Sequence, residues 1–474
     1  LSFVSLVFLV FFPLVFVGYC LVPTRYRWVL MLLISYGFYA YWDWRYIPLL
    51  FFSSLIDYFC ALKMGQKECT SARKKYLLIS LFVNLGILFC FKYWNFFGSN
   101  ASSLFSLDLE LHDLLLPLGL SFYTLQTLSY TFDVYLGKIK PEKHLGFFCL
   151  FVCFFPQLVA GPIERSRTLL PQLKSLSLPT LYQFRYGLLL IVWGLFVKLV
   201  IADNLSESIN SVYFSEVRFS VWVYWLTGAL VTLKIYCDFM AYSEIARGVA
   251  LLFGVRLTIN FRRPLFSSNL RSFWQRWHIS LTRWIGDYIQ IPLLRRFPTE
   301  PLRSVVTVFT LIIIGLWHGA SWNFILFGLF HGVVMICWFP ISKIVTQSFG
   351  FCLNYSGFYS RICLAIVLMF SAPMFYIQDT PILLSVLGYM VVPSYCTEFS
   401  DVYAVHGKLM LFKAFVGLGC LFVYSFHIEC KQLDIIAEIA NLVSYLRWGA
   451  AMLMLICIFM IGGFIDEPFI YFQF

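Results

Sequence analysis

Apolar residues run unbroken for close to 20 positions at a time, and charges gather in the short stretches between the runs. Candidate spans fall near 3–22, 28–44, 46–62, 76–97, 114–135, 145–163, 184–202, 219–242, 304–317, 323–340, 359–377, 380–395, 408–427 and 448–464. A helix rises about 1.5 Å per residue, so runs of this length cross the roughly 30 Å of hydrocarbon in a bilayer. The runs are continuous rather than alternating, which predicts helices and argues against a membrane barrel. The pattern therefore predicts an all-α polytopic membrane protein.

Charge signs order the loops. Segment 63–75 carries Lys63, Lys67, Arg73, Lys74 and Lys75 against Glu68, which places it in the cytoplasm. Asp108, Glu110 and Asp113 then fall outside, and Lys138, Lys140 and Lys143 return inside. Arg165, Arg167, Lys174 and Arg185 are also basic, although an apolar run separates them from Lys143. One crossing cannot join two inside loops, so 145–163 is expected to enter and leave on one side. Breaks are expected at Pro156 and at Gly161 and Pro162, with protein around them, since irregular backbone is not tolerated in lipid. Asp203, Glu207 and Glu216 then lie outside, and a loop from 244 to 271 with Arg247, Arg256, Arg262, Arg263 and Arg271 lies inside. This gives roughly 11 crossings plus re-entrant pieces.

Composition agrees with that picture and removes alternatives. Of 474 residues 60% are apolar and 12% charged, against about 25% charged in soluble domains. The net charge of +11 sits in short loops between spans, so topology explains it and nucleic acid is not an expected partner. Fourteen cysteines are scattered through apolar segments without a C-x-x-C pair and read as small buried hydrophobes. The run 3–22 lacks a basic n-region and a small-residue cleavage site, so a first span is expected there rather than a removed signal peptide. No repeat or Pro/Ser-rich linker divides the chain, and residues 1–474 read as one integral membrane domain.

Two segments carry candidate chemistry. Segment 273–291 is amphipathic and is expected to be a non-crossing helix. At 100° per residue Trp274, Trp277, His278, Leu281, Trp284, Ile285 and Tyr288 share one face, and Arg276, Ser280, Arg283 and Asp287 the other. An aromatic-belt helix accounts for all of these except His278. The second segment, IIIGLWHGASWN at 312–323, holds His318 in an apolar run. Helix rise from Ser304 puts this imidazole about 21 Å into the membrane. Ionisable groups at such depth are functional candidates, and imidazole is the side chain matched to moving protons near neutral pH. His331 follows in FHG at 330–332. On spacing alone each histidine also fits a hydrogen-bonded core group, and Lys92 and Lys198, near span ends, fit snorkelling residues.

Taken together, FWQRWHISLTRW at 273–284, Asp287-Tyr288, IPL at 291–293 and LWHGASWN at 316–323 resemble the signature of the membrane-bound O-acyltransferase (MBOAT) family. Further matches are PLGLSFY at 117–123, AGP at 160–162, KLVIAD at 198–203, IYCDFMAYS at 235–243 and the terminal FIYFQF at 469–474. Their order is similar to the bacterial alginate O-acetylation branch. The chain departs from that pattern at 294–297 and at Arg262 and Arg263, which bears on the substrate more than on the reaction.

The resemblance implies a ring of helices around a tunnel, in a bacterial inner-membrane protein. An acyl thioester, acetyl-coenzyme A or an acyl carrier, would enter from the cytoplasm as co-substrate, with no bound cofactor and no metal. The acceptor would be a hydroxyl of an exported polysaccharide or of a secreted acceptor protein, with an extracytoplasmic acetyltransferase as a further partner. His318 matches the family's catalytic histidine and His278 its second polar position, where it would serve catalysis by hydrogen-bonding the developing oxyanion or orienting the acyl group. Trp274, Arg276, Trp277, Trp317, Asn323, Tyr236, Asp238 and Tyr242 are the expected substrate-binding residues, supported by His331 and Asp287. Tyr236, Asp238 and Tyr242 also fit simple pairing with basic neighbours, and Arg262, Arg263 and Arg271 would face an anionic donor. Two other classes stay open on the residues: a transporter or flippase with histidines as proton-relay groups, and a non-catalytic scaffold of an envelope-modifying complex.

Overall fold

A computed structural model describes residues 3–67, 69–107, 111, 114–158, 161–349, 358–392, 434–463 and 469. Among them every regular element is helical. The α-helices are α1 (Leu6–Leu21), α2 (Arg27–Asp43), α3 (Ile47–Gly65), α4 (Thr70–Leu88), α5 (Trp94–Phe105), α6 (Leu120–Tyr135), α7 (Leu145–Cys153) and α8 (Phe155–Leu158). They continue as α9 (Ser166–Lys174), α10 (Leu181–Phe196), α11 (Asp203–Tyr213), α12 (Val221–Leu252), α13 (Leu270–Trp274), α14 (Ile279–Ile285), α15 (Ile291–Arg296) and α16 (Glu300–His318). The last are α17 (Trp322–Phe349), α18 (Phe358–Tyr376), α19 (Thr380–Val391), α20 (Ile435–Asn441) and α21 (Ser444–Ile461).

Six helical stretches among the described residues are long and apolar enough to cross a membrane: Thr24–Gly65, Ser71–Phe105, Leu181–Tyr213, Glu300–His318, Tyr359–Tyr376 and Ser444–Ile461. Leu6–Leu21, Trp322–Trp338 and Thr380–Val391 are shorter apolar helices. The expected span at 408–427 and the acidic positions Asp108, Glu110 and Asp113 lie outside the described residues, as does most of the 469–474 motif. Apolar side chains such as Phe82, Phe459 and Met460 point outward with 76–82% of their surface exposed, as lipid-facing residues do.

Contacts group the chain into two compact units, Leu1–Ile191 with Ser243–Ile259, and Val192–Tyr242 with Asn260–Phe474. In the first, α3, α4 and α6 pack around a buried polar seam. Ser53 donates to Asn84 Oδ1 at 2.7 Å, and Asn84 and Ser80 donate to Asp57 Oδ1 at 2.8 and 2.5 Å. Burying a carboxyl group is tolerable only with such bonds. Lys92 reaches Ser121 Oγ at 3.4 Å.

Segment 145–163 does break, two residues earlier than Pro156 suggests. Helix α7 has nine residues and stops at Phe154, whose backbone leaves the helical region, and α8 adds one turn. Nine residues rise only about 13 Å, too little to cross. The whole stretch 148–158 is buried in protein, which satisfies the requirement on irregular backbone.

The charge-based loop boundaries need two corrections. Residues 244–252 do not begin a cytoplasmic loop; they continue α12, which runs 32 residues. Arg247 pairs with Glu244 one turn away and reaches Tyr186 Oη at 3.4 Å, so both charges are carried inside a buried helix. Likewise Asp203 is not a loop carboxylate. It opens α11 and is buried at 3% exposure, 2.6 Å from Lys198 Nζ. Lys198 therefore does not snorkel: it is 1% exposed and also meets Asp238 at 2.8 Å. The backbone between Lys198 and Asp203 is a π turn over Val197–Ala202, a local widening that lets both side chains turn inward.

Candidate active site

The second unit holds both histidine motifs. Helix α16 ends at His318, and Gly319 follows in an extended conformation (φ −160°, ψ 152°) that turns the chain into α17. The two helices then pack backbone to backbone. A Cβ on Gly315 would strike the Phe324 carbonyl, and one on Gly328 would strike the Leu311 carbonyl. Small residues are thus required at these positions. Asn323 clamps the turn: its Nδ2 donates to Ile377 and Gln378 carbonyls at 2.7 and 3.0 Å, and its Oδ1 accepts from Thr380 at 2.8 Å.

His318 is 2% exposed, with its ring 5.1 Å from Trp317 and 4.9 Å from Phe375. His331 lies further along α17, 1% exposed, with Nε2 at 3.0 Å from Ser371 Oγ on α18. Ser371 in turn donates to the Leu368 carbonyl at 3.2 Å. His318, His331, Trp274, Trp277, Ser371, Phe327 and Phe375 line one narrow cavity of about 40 Å³.

Segment 273–291 is not one continuous helix. Helix α13 stops at Trp274, and His278 takes a left-handed conformation (φ 42°) before α14 begins. A π turn, Gly286–Gln290, and the short α15 follow. The periodic argument assumed an unbroken backbone, and the break rotates the two halves relative to each other. Most of the assigned apolar face is nonetheless buried, Trp274, Trp277, His278, Leu281, Trp284 and Ile285 included. Ser280, assigned to the polar face, is buried as well, its N–H donating to Asn260 Oδ1 at 3.3 Å.

The cavity therefore gathers four of the sequence-predicted residues, His318, His331, Trp274 and Trp277. His278 does not line it. Its ring sits 4.7 Å from Phe239 and 5.7 Å from Trp317, so Trp317 stands in contact with both His278 and His318. Burial pushes the His278 imidazole down to about 3, so it is neutral at physiological pH. Tyr236 packs on Phe261 and Trp277, Asp238 is held by Lys198, and Tyr242 packs on Phe469 with tilted rings 4.2 Å apart. Arg276 is half-buried and its carbonyl accepts from Arg262 N–H at 3.0 Å; Asp287 is exposed in the π turn.

Sequence reasoning passed over Ser371 and the Lys198 pairing. Ser371 had no signal beyond being a hydroxyl in an apolar run. The carboxylates that hold Lys198 were legible, five residues on and on a later helix, but a span-end lysine more often reaches for the interface. No group of metal-ligating side chains occurs among the described residues.

A helical membrane protein with two imidazoles on one small cavity has side chains suited to moving protons. Residues 142–377 match the family described as MBOAT, membrane-bound O-acyltransferase family. The chain belongs to that family and is a multi-pass membrane O-acyltransferase. It is 34% identical over 358 residues to the "Peptidoglycan O-acetyltransferase" of Helicobacter pylori, covering 69% of this chain and 68% of that protein. It is 35% identical over 347 residues to the "Probable alginate O-acetylase AlgI" of Azotobacter vinelandii, covering 72% and 68%. The "Teichoic acid D-alanyltransferase" of Bacillus subtilis is 27% identical over 238 residues, covering 48% and 60%.

Proposed function

We propose that this O-acyltransferase moves an acetyl group from a cytoplasmic thioester, acetyl-coenzyme A or an acyl carrier, to a hydroxyl of an exported envelope polysaccharide. Delivery to the polymer is direct or passes through a secreted protein, such as an extracytoplasmic acetyltransferase, and the membrane is the bacterial inner membrane. Relatives named for acylation of peptidoglycan, alginate and teichoic acid support an envelope polymer as acceptor.

The observation that carries the reading is His318 on a small cavity at the end of a membrane helix. In this mechanism the neutral imidazole takes the acceptor's proton as its oxygen adds to the thioester carbonyl. The tetrahedral intermediate then collapses, the C–S bond breaks, and the imidazolium returns the proton to the departing thiolate. His278 acts through Trp317 as a positioning residue, holding the ring against which His318 packs.

The test is acyl transfer by purified protein in nanodiscs with radiolabelled acetyl-coenzyme A. His318→Ala is expected to lose about 10²- to 10⁴-fold in rate while inserting normally. Near wild-type turnover in that variant would remove the catalytic assignment and favour a transporter or a scaffold instead.

A further inference from the structure

We infer that His331 and Trp274 form a second hydroxyl-binding subsite beside His318, one that selects acceptors carrying a neighbouring hydroxyl, as the edge of a sugar ring does. The inference rests on the acyl-transfer reading above and names the acceptor feature that the site recognises.

The argument begins at Ser371. When the Ser371 hydroxyl places its one hydrogen on the Leu368 carbonyl, 3.2 Å away, its Oγ accepts from His331 Nε2 at 3.0 Å, and in that tautomer Nδ1 is left as a lone pair. Nδ1 is buried and takes no hydrogen bond among the described residues. Trp274 lines the same cavity and meets His331 edge to face, with ring centroids 5.4 Å apart and planes at 80°. Its Nε1–H is likewise buried and unpaired among the described residues.

Buried polar atoms without a partner, here an acceptor and a donor on two residues that line one cavity, cost free energy unless something fills them. A hydroxyl fills both. It donates to His331 Nδ1 and accepts from Trp274 Nε1–H, using both of its hydrogen-bonding roles. A carbonyl or carboxylate cannot donate to Nδ1, and an ammonium cannot accept from the indole. The pair is also distinct from the reacting hydroxyl, whose proton goes to His318. An acceptor that engages both therefore presents two hydroxyls close together. His331 and Trp274 are positioning residues in this account: they hold the second hydroxyl so that the first lies against the thioester carbonyl. Sites built to bond a substrate hydroxyl discriminate strongly against analogues lacking it, because the site's own polar groups are then stranded.

The experiment compares two small acceptors of equal carbon count, propane-1,2-diol and propan-1-ol, with radiolabelled acetyl-coenzyme A and the full chain in nanodiscs. The wild type is expected to acetylate the diol at least about tenfold faster at equal concentration. Trp274→Phe and His331→Phe keep an aromatic ring in place and are each expected to bring the diol-to-monoalcohol ratio close to one. Ser371→Ala, which frees the tautomer, is expected to lower the ratio part of the way. A merely structural role would depress both rates together and leave the ratio unchanged, which overturns the proposal. So does a wild-type ratio near one, or thioester hydrolysis without transfer to either alcohol. Absence of both transfer and hydrolysis would instead overturn the acyltransfer reading on which the subsite depends.

Discussion

His278 shows how a backbone constraint and a side-chain role can coincide in one residue. Its φ of 42° lies in the left-handed region, which asparagine tolerates better than most non-glycine residues because its short amide bonds locally. His278→Asn is thus expected to keep the turn between α13 and α14, whereas His278→Val, branched at Cβ, should not. The same residue makes stability pH-dependent. Its folded-state pKa of about 3 lies below the ordinary 6.5, so as pH falls through 6.5 the unfolded chain binds a proton that the folded chain excludes. Stability is lost over that fall, toward pH 3. Thermal midpoints in detergent at pH 7.5 and 5.5 should therefore drop less for His278→Asn than for the wild type, and equal drops would count against the buried neutral imidazole. Sequence singled out this histidine because an aromatic face did not explain it. What sequence did not show is the break after Trp274, since a periodic reading cannot see a left-handed residue that is not glycine.

At the scale of elements, the glycine positions separate close packing from ordinary helix. Gly315 and Gly328 sit where a Cβ would meet the facing backbone, while a Cβ on Gly388 in α19 would meet nothing within 4 Å. Gly328→Leu should accordingly abolish the folded, monodisperse protein on detergent size exclusion. Gly388→Ala should be tolerated or raise stability by about 0.5 to 1 kcal/mol, since alanine loses less conformational freedom in a helix. Similar behaviour of the two variants would argue against the close approach of α16 and α17. The small residues flanking His318 were visible in the sequence as a cluster, and so was a helix on each side. The buried continuation of α12 was not, because Glu244 and Arg247 look like the start of a loop until their mutual pairing is seen. A single charged residue read along the chain carries no information about its partner, and the same blindness hid the Lys198, Asp203 and Asp238 cluster.

For the whole molecule, that cluster changes which charges orient the chain. Topology follows exposed lysine and arginine near span ends, with acidic residues contributing little. Asp203 is neutralised by Lys198 inside the protein, and Arg247 by Glu244, so neither contributes to orientation as a loop charge would. The basic set at Lys63, Lys67, Arg73, Lys74 and Lys75 survives this pruning, since Lys74 and Lys75 are exposed at the start of α4. We therefore expect the α3–α4 connection to be cytoplasmic. Native Cys69 is exposed in that connection and supplies the probe once the remaining cysteines are replaced. Impermeant maleimide should label Cys69 in inside-out membrane vesicles and leave it unlabelled in right-side-out vesicles until detergent is added. Labelling from the right-side-out face would reverse the orientation and put the proposed thioester entrance on the wrong side of the membrane. The chemistry at His318 would be unaffected, but the donor could no longer be a cytoplasmic metabolite.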